Sequence, residues 1–186
     1  RDFAWAFDAF SNSYQLVSGA DLSFATREIG AGRGVFFLSR RPATLVLPRP
    51  TGAAAVSSAP AREPLDGWLL KIVAQAEGVA DTDNFLGVTS QAARLNDILT
   101  PPRPDADLDL YFVRSAGEGL RWATDFATPA EGRKQWRMKV ACNMPGAVVT
   151  LRWPDLSGLP ADCRPVLVDE ATGQSVYLRT STGYSY

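Results

Sequence analysis

Short β-rich segments recur along this chain, and glycine, proline, asparagine and aspartate separate them. The 3.6-residue apolar periodicity of an amphipathic helix is confined to residues 88–99. Short strands between turn residues are typical of an all-β sandwich or barrel. We therefore predict an all-β, antiparallel β-sandwich with at most one short helix. The predicted strands are residues 14–18, 34–39, 44–47, 68–75, 108–114, 120–126, 135–143, 147–153, 164–169 and 175–179.

Residues 135–143 show the clearest alternation of apolar and polar side chains, and residues 147–153 repeat it. Alternate residues of a strand face opposite sides, so each segment offers one apolar face to a core. Trp136 and Trp153 lie on these two faces. A Met-Pro-Gly link joins the segments and supplies the geometry of a tight turn, so we predict a β-hairpin here.

A second hairpin is predicted over residues 166–179, where VLVDEATGQSVYLR places Asp169 and Glu170 between two apolar runs. Paired catalytic carboxylates need surroundings that separate their pKa values, and no third group in this segment does so. Aspartate, threonine and glycine are instead the residues of a tight turn, in which Gly173 supplies a positive φ. We therefore interpret the two carboxylates as turn residues in contact with water.

The 186-residue chain contains no histidine, which excludes Ser-His-Asp and Cys-His catalysis and nearly all zinc sites. Its formal net charge is −1 and its charges are scattered, so no basic surface for nucleic acid is predicted. No apolar run approaches the roughly 18 residues of a membrane-spanning helix. We accordingly predict no enzyme activity, no catalytic residue, no cofactor and no membrane span.

Residues 51–60 (TGAAAVSSAP) are small and are flanked by prolines, which marks the best candidate domain boundary. We predict a small β-rich part over residues 1–61 and a β-sandwich over residues 62–186. The first part forms either a subdomain of its own or strands of the same or a neighbouring sandwich. The chain begins at Arg1 without an initiator methionine, which suggests a processed product or a fragment.

Asp81, Asp83 and Asn84 are the candidate metal ligands, because carboxylate and amide oxygens bind calcium. Their spacing lacks the glycine and the glutamate of an EF-hand. A solvated loop whose side chains cap turns is the favoured interpretation. Asp105, Asp107 and Asp109 form a second acidic row at alternate positions at the start of a strand, which could bind a cation or repel another sheet edge. We interpret that row as charges that protect a sheet edge.

Cys142 and Cys163 are the two cysteines of the chain, and one predicted strand lies between them. In an oxidising compartment a disulfide closing a loop of this size would contribute about 3 kcal/mol to stability. The alternative is a pair of buried free thiols, which behave as small apolar side chains. We favour the disulfide.

The N-terminal segment RDFAWAFDAF places Phe3, Trp5 and Phe7 at alternate positions, which gives one strongly apolar strand face. Such a face needs a partner surface. The strand either pairs within its own domain, packs on a neighbouring module or inserts into another subunit as an added strand. We take these three residues as the candidate assembly interface.

Four successive segments resemble the C-terminal regions of large secreted bacterial surface proteins. They are DGWLLKIVAQAEGVADTDNFLGV, NDILTPPRPDADLDLYFV, QWRMKVACNMPGAVVTLRWPDLSGLP and RPVLVDEATGQSVYLR. The upstream GRGVFFLSRRPATLVLP is similar to the strand pair that often precedes them. The resemblance implies immunoglobulin-like (Ig-like) or related β-sandwich modules that act as spacers, anchors, or sorting and assembly domains. It implies an extracellular or cell-surface location, and it brings no catalytic residues.

The preferred function is therefore a non-enzymatic extracellular structural or assembly module, with filament formation as its most specific form. Its expected partners are other protein modules or copies of itself. The alternative is a carbohydrate-binding module that recognises cell-surface glycans through exposed aromatic rings, for which Trp122 and Tyr184 are candidates. We expect Trp68, Trp136 and Trp153 in the core, because buried aromatic rings dominate such cores. A third interpretation is a hydrolase accessory domain or an enzyme with paired carboxylates.

Overall fold

The computed structural model describes residues 3–8, 13–18, 25–29, 33–37, 44, 65–96, 98–101, 107–114 and 119–186. Within these ranges the fold is all-β with several antiparallel sheets, which confirms the predicted fold class. One short helix, α1, spans Ala92–Leu95, and a 3-10 turn spans Leu178–Thr180. The strands are β1 Phe3–Asp8, β2 Ser13–Ser18, β3 Val35–Phe37, β4 Gly67–Ala76, β5 Val79–Thr89, β6 Leu108–Phe112, β7 Thr124–Ala127, β8 Met138–Cys142, β9 Thr150–Arg152, β10 Val166–Val168, β11 Ser175–Tyr177 and β12 Gly183–Ser185.

A five-stranded sheet in the order β12-β9-β4-β5-β7 forms the middle layer of the fold. Its neighbouring strands are antiparallel except β5 and β7, which are parallel. Glu77 and Gly78 join β4 to β5 in a tight turn, and both have positive φ. Gly87 of β5 lies so close to β4 that a Cβ atom there would be 2.2 Å from the carbonyl oxygen of Trp68. The pairing of β4 with β5 therefore depends on glycine at this position.

The first hydrophobic core lies between this sheet and the two strand pairs β6–β8 and β10–β11. Its buried members include Leu70, Ile72, Leu108, Leu110, Phe112 and Leu151. Trp153 is buried in it, and Trp68 and Trp136 pack against it. The rings of Trp68 and Trp136 meet edge to face with centroids 5.7 Å apart. All three tryptophans thus contribute to the core as predicted.

The second hydrophobic core lies on the opposite face of the five-stranded sheet, against the three-stranded sheet β2-β1-β3. Phe85 of β5 and Phe126 of β7 meet Trp5 and Leu16 there. Leu86, which follows Phe85, belongs to the first core, as the alternation of a strand requires. The described strands before residue 61 therefore share a core with the later part of the chain.

The prediction of a hairpin over residues 135–153 is wrong, although the apolar residues of both segments face the core as predicted. Strand β8 pairs with β6, whereas β9 pairs with β4 and β12 in the five-stranded sheet. The link still forms a turn, in which the amide of Ala147 donates to the carbonyl oxygen of Met144 over 3.2 Å. It carries the chain from one sheet to the other, so that both apolar faces reach the first core from opposite sides.

The one plausible helix of the sequence, over residues 88–99, is present only as the four residues of α1, so the range that the periodicity indicates is too long. Strand β5 continues through Val88 to Thr89, and Val88 pairs with β4 on one side and with β7 on the other. These two sets of backbone hydrogen bonds outweigh a weak helical periodicity. The strand predicted at residues 44–47 and the boundary predicted at residues 51–60 lie outside the described residues, apart from residue 44.

Candidate functional site

Strand β1 carries the predicted assembly residues Phe3, Trp5 and Phe7, and it is the central strand of the sheet β2-β1-β3. Trp5 is buried, and its Nε1 donates to the carbonyl oxygen of Leu99 over 3.1 Å. Phe3 and Phe7 are partly buried. Because β2 and β3 occupy the two edges of β1, this strand has no free edge for another subunit. The geometry argues against strand donation by β1.

Among the strands that the structure describes, β3 lies at the edge of the same sheet, and all three of its side chains are exposed and apolar. The exposed fraction is 41% for Val35, 41% for Phe36 and 40% for Phe37. We call these three residues the β3 edge. The ring of Phe36 meets that of Tyr14 edge to face at 5.6 Å, and Tyr14 contacts Phe7 at 5.2 Å. The apolar surface of this sheet therefore continues from β3 onto β1 and β2.

The candidate calcium ligands Asp81, Asp83 and Asn84 lie within strand β5 and not in a loop. The pairing of β5 with β4 contains a register shift between Asp81 and Asn84, which is the mark of a β-bulge. Asp81 accepts a hydrogen bond of 2.7 Å from the amide of Leu110, in the layer on one side of the five-stranded sheet. Asp83 accepts one of 3.1 Å from the amide of Leu16, in the layer on the other side. The two carboxylates therefore join different layers of the fold.

These contacts give Asp81 and Asp83 structural roles. Asp83 also pairs with the ammonium group of Lys71 at 3.2 Å, and Asp81 and Asn84 are buried. The Nδ2 atom of Asn84 has no hydrogen-bond partner within the described structure, and an amide nitrogen cannot ligate a cation. Among the described residues, no three cysteine, aspartate or glutamate side chains are grouped as metal ligands.

Asp169 organises the turn between β10 and β11, which form the predicted hairpin. Its carboxylate accepts hydrogen bonds from the hydroxyl of Tyr184 at 2.7 Å, the hydroxyl of Thr172 at 2.8 Å and the amide of Ala171 at 2.8 Å. These three donors, in that order of effect, lower the pKa of Asp169 to about 2. A general acid near neutral pH needs a raised pKa, so Asp169 is unsuited to that role.

Glu170, the second carboxylate of the turn, makes a different contact. It forms an ion pair with Arg137 at 3.2 Å, and both side chains are largely exposed. Exposed ion pairs contribute little to stability, typically about 0–1 kcal/mol. Asp169 and Glu170 therefore act as turn and surface residues, in agreement with the interpretation from the sequence.

Cys142 and Cys163 are free thiols, so the predicted disulfide is not formed in this structure. Both side chains are partly buried and pack against the first core. The Sγ atom of Cys142 lies 3.9 Å from the carbonyl oxygen of Met144. Such contacts are typical of cysteines that serve as small apolar side chains.

A pocket of about 230 Å³ lies beside strand β6, and it was not predicted from the sequence. Trp122 forms one β-bridge with Leu99 and another with Phe112, which brings two segments of the pocket wall next to β6. Trp122 itself is buried and cannot serve as an exposed platform for sugars. The wall consists of Leu99, Thr100, Pro101, Asp109, Gly119, Leu120 and Arg121.

Asp109 and Arg121 form the charged part of this pocket. The Nη1 atom of Arg121 lies 2.6 Å from Oδ2 of Asp109, and the guanidinium group lies over the ring of Tyr111 at 4.8 Å. The side chain of Asp109 is 3% exposed, whereas that of Arg121 is 50% exposed. The other carboxylate oxygen, Oδ1, is buried and has no hydrogen-bond partner among the described residues. An unpaired buried acceptor costs about 1–3 kcal/mol, and more when it is charged.

Within the described ranges, no helix has the length and apolar character needed to cross a membrane. Comparison of the chain with protein-family models, with curated proteins and with solved structures finds no match.

Proposed function

We propose that this chain is a non-enzymatic, extracellular structural module that assembles through the β3 edge. The observation that carries this proposal is the exposure of Val35, Phe36 and Phe37 on a strand that lies at the edge of its sheet within the described part of the chain. The segment resemblance to secreted bacterial surface proteins supports the extracellular location. The β3 edge replaces strand β1 as the assembly element, because β1 is paired on both sides.

An exposed edge strand offers unpaired backbone amide and carbonyl groups to another strand. Proteins usually protect such edges with charged side chains, proline or a bulge, whereas β3 consists of three consecutive apolar residues. Exposed apolar patches of this kind mark interaction surfaces. Pairing with an added strand would satisfy the backbone groups and cover the side chains in a single step.

The partner that fits the β3 edge best is a second copy of this chain. An antiparallel pair of β3 strands related by a two-fold axis would place Phe36 opposite Phe36, and Val35 opposite Phe37 of the second copy. No like charges meet within that pair of tripeptides, and the formal net charge of the whole chain is only −1. Electrostatic repulsion between copies is therefore small.

Sedimentation velocity over a range of protein concentrations tests this proposal. The unaltered protein should show a concentration-dependent dimer or higher assembly. Phe36→Lys should shift it to the monomer, because two ammonium groups would face each other across the axis. Val166→Lys is the matched control, since Val166 is another exposed apolar strand residue, 53% exposed, in the separate pair β10–β11. A protein that stays monomeric at every concentration, or loses assembly equally in both variants, contradicts the proposal.

Carbohydrate binding is the second candidate function, and the pair Tyr184 and Tyr186 favours it. Their rings stack with centroids 5.7 Å apart, and Tyr186 is 50% exposed. A flat exposed ring suits the apolar face of a sugar. Binding of glycans to an array, lost in Tyr186→Ala, would support this function.

A further inference from the structure

We propose that Asn96 closes the β7 edge to an added strand and so limits where copies of this chain can associate. The β7 edge is the row of backbone groups of Thr124–Ala127 that points away from β5, at one end of the five-stranded sheet. The partner that Asn96 excludes is a strand of a second copy. This inference does not rest on assembly through the β3 edge, because β3 belongs to a different sheet.

The first step concerns the side-chain amide of Asn96. Its Nδ2 atom donates to the carbonyl oxygen of Phe126 over 2.7 Å, and its Oδ1 atom accepts from the amide of Phe126 over 2.6 Å. An antiparallel strand paired with β7 would offer the same donor and the same acceptor to a single residue of β7. The side chain of Asn96 therefore occupies the place of a neighbouring strand.

The second step concerns the direction of the backbone groups of β7. The amide of Phe85 in β5 donates to the carbonyl oxygen of Ala123 over 2.9 Å, just before β7 begins. Backbone groups of alternate residues point to the same side of a strand, so those of Thr124 and Phe126 point to the outer edge. The carbonyl oxygen of Thr124 accepts a hydrogen bond from Nη2 of Arg114. Side chains thus bond to both outward residues of β7.

The third step concerns what holds Asn96 in place. Asn96 ends helix α1, and its backbone amide donates to the carbonyl oxygen of Ala92 over 3.0 Å. The hydroxyl of Thr124 donates to the carbonyl oxygen of Leu95 over 2.7 Å, which fixes the same end of α1 to β7. A helix of four residues is not stable by itself, so its contacts with β7 keep it there. Proteins often cover an edge strand with a helix or a loop in this way.

The fourth step compares β7 with β3. The amide of Phe7 donates to the carbonyl oxygen of Gly34 over 2.9 Å, so the backbone groups of Gly34 face β1. By the same alternation, those of Val35 and Phe37 point away from β1. Within the described part of the chain, no side chain bonds to these outward groups of β3. One short edge strand is therefore covered, and the other is open.

Hydrogen exchange of the backbone amides gives the first test. The amide of Phe126 should be protected in the unaltered protein, because it donates to Oδ1 of Asn96. In Asn96→Ala it should exchange at least about tenfold faster, while the amides of the central strand β4 keep their protection. An unprotected amide of Phe126 in the unaltered protein would overturn the inference, and that result needs no variant to fold. Equal losses of protection in β4 and β7 would show a general loss of stability instead.

Sedimentation velocity gives the second test, in Phe36→Lys protein so that the β3 edge does not contribute. Adding Asn96→Ala should produce concentration-dependent association that Phe36→Lys lacks by itself. Adding Asn96→Asp should not, because it keeps an acceptor for the amide of Phe126 and places a charge at the edge. Thr124→Val is the matched control, since it removes the bond to Leu95 and leaves both hydrogen bonds between Asn96 and Phe126 in place.

The comparison of these variants decides the inference. If Asn96→Ala associates no more than Phe36→Lys alone, the β7 edge stays closed without Asn96, and the inference is wrong. Equal association of Asn96→Ala and Thr124→Val would assign the effect to weakened packing of α1. The proposal for the β3 edge fails separately, if the unaltered protein and Phe36→Lys both sediment as monomers. The comparison of variants at residue 96 would still be valid in that case.

Discussion

Tyr184 donates a hydrogen bond of 2.7 Å from its hydroxyl group to Oδ2 of Asp169, which ties strand β12 to the turn between β10 and β11. The bond joins an edge strand of the five-stranded sheet to the separate two-stranded sheet. Tyr184 also packs against the first core. Because the acceptor is a carboxylate, this is a charge-assisted bond, which is stronger than a bond between neutral groups.

Replacement of Tyr184 by phenylalanine keeps the ring and removes the donor. The pKa of Asp169, now about 2 because of Tyr184, Thr172 and the amide of Ala171, should rise toward the ordinary aspartate value of about 3.9. A lowered folded-state pKa adds stability that is present above about pH 4 and is lost as the pH falls toward about 2. The Tyr184→Phe variant should therefore lose less stability than the unaltered protein as the pH falls from about 4 to about 2.

A carboxyl titration by nuclear magnetic resonance measures this effect, and denaturation at several pH values checks the stability. Asp155 is the internal control, because its pKa is lowered by the amide and then by the hydroxyl of Ser157. The pKa of Asp155 should stay unchanged in the variant. An unchanged pKa at Asp169, or equal changes at both aspartates, would show that Tyr184 does not set the value.

Trp153 is buried, and its Nε1 donates to two carbonyl oxygens, those of Leu178 at 3.0 Å and Ser181 at 2.7 Å. Trp153→Phe removes this donor and part of the buried ring. We expect the free energy of unfolding to fall by about 2–4 kcal/mol. Trp68→Phe is the control at a partly buried ring of the same core, with an expected loss of about 1 kcal/mol. Urea denaturation measures both, and equal losses would contradict the role of the two hydrogen bonds.

Gly87 provides a test of the close contact between β4 and β5. A Cβ atom there would lie 2.2 Å from the carbonyl oxygen of Trp68 and 2.9 Å from Cα of Leu69, so backbone atoms must move. Gly87→Ala should therefore lower the free energy of unfolding by about 3 kcal/mol or more. Gly34→Ala is the control, since a Cβ at Gly34 would have no neighbour within 4 Å in the described part of the chain. If thermal denaturation finds the same stability for the two variants, the backbone around Gly87 moves to admit a Cβ atom at little cost in free energy.

The local features of the fold could be predicted from the sequence, because they depend on neighbouring residues. The alternation of apolar residues placed Trp136 and Trp153 on core-facing sides, and the structure confirms both positions. The pairing of their segments could not be predicted in the same way. A short link joins either adjacent strands or strands of two facing sheets, and here β8 pairs with β6, far away in the sequence.

The positions of the candidate sites depend even more on contacts between residues that are far apart in the sequence. Phe36 was expected to lie on a strand, but its position at an edge follows from the order β2-β1-β3. The ion pair of Asp109 with Arg121 arises because the segment before β7 lies beside β6, and an alternating row of aspartates gave no sign of it. A one-residue bulge, invisible in the sequence, sends Asp81 and Asp83 to different layers.

Asp81 allows a direct choice between a structural and a metal-binding role. It is buried and accepts a hydrogen bond of 2.7 Å from the amide of Leu110, across two sheets. Asp81→Ala leaves that amide without its acceptor and should lower the free energy of unfolding by about 2–3 kcal/mol. Asp81→Asn keeps a side-chain oxygen as acceptor and should cost less, about 1 kcal/mol.

Chemical denaturation of both variants and of the unaltered protein, in calcium and in a chelator, measures these costs. If the role of Asp81 is structural, each of the three proteins should be as stable in calcium as in the chelator, because the hydrogen bond from Leu110 needs no cation. Stabilisation of the unaltered protein by calcium that is lost in Asp81→Ala would instead assign a metal site to β5. Equal stability of the alanine and asparagine variants would show that the hydrogen bond contributes little.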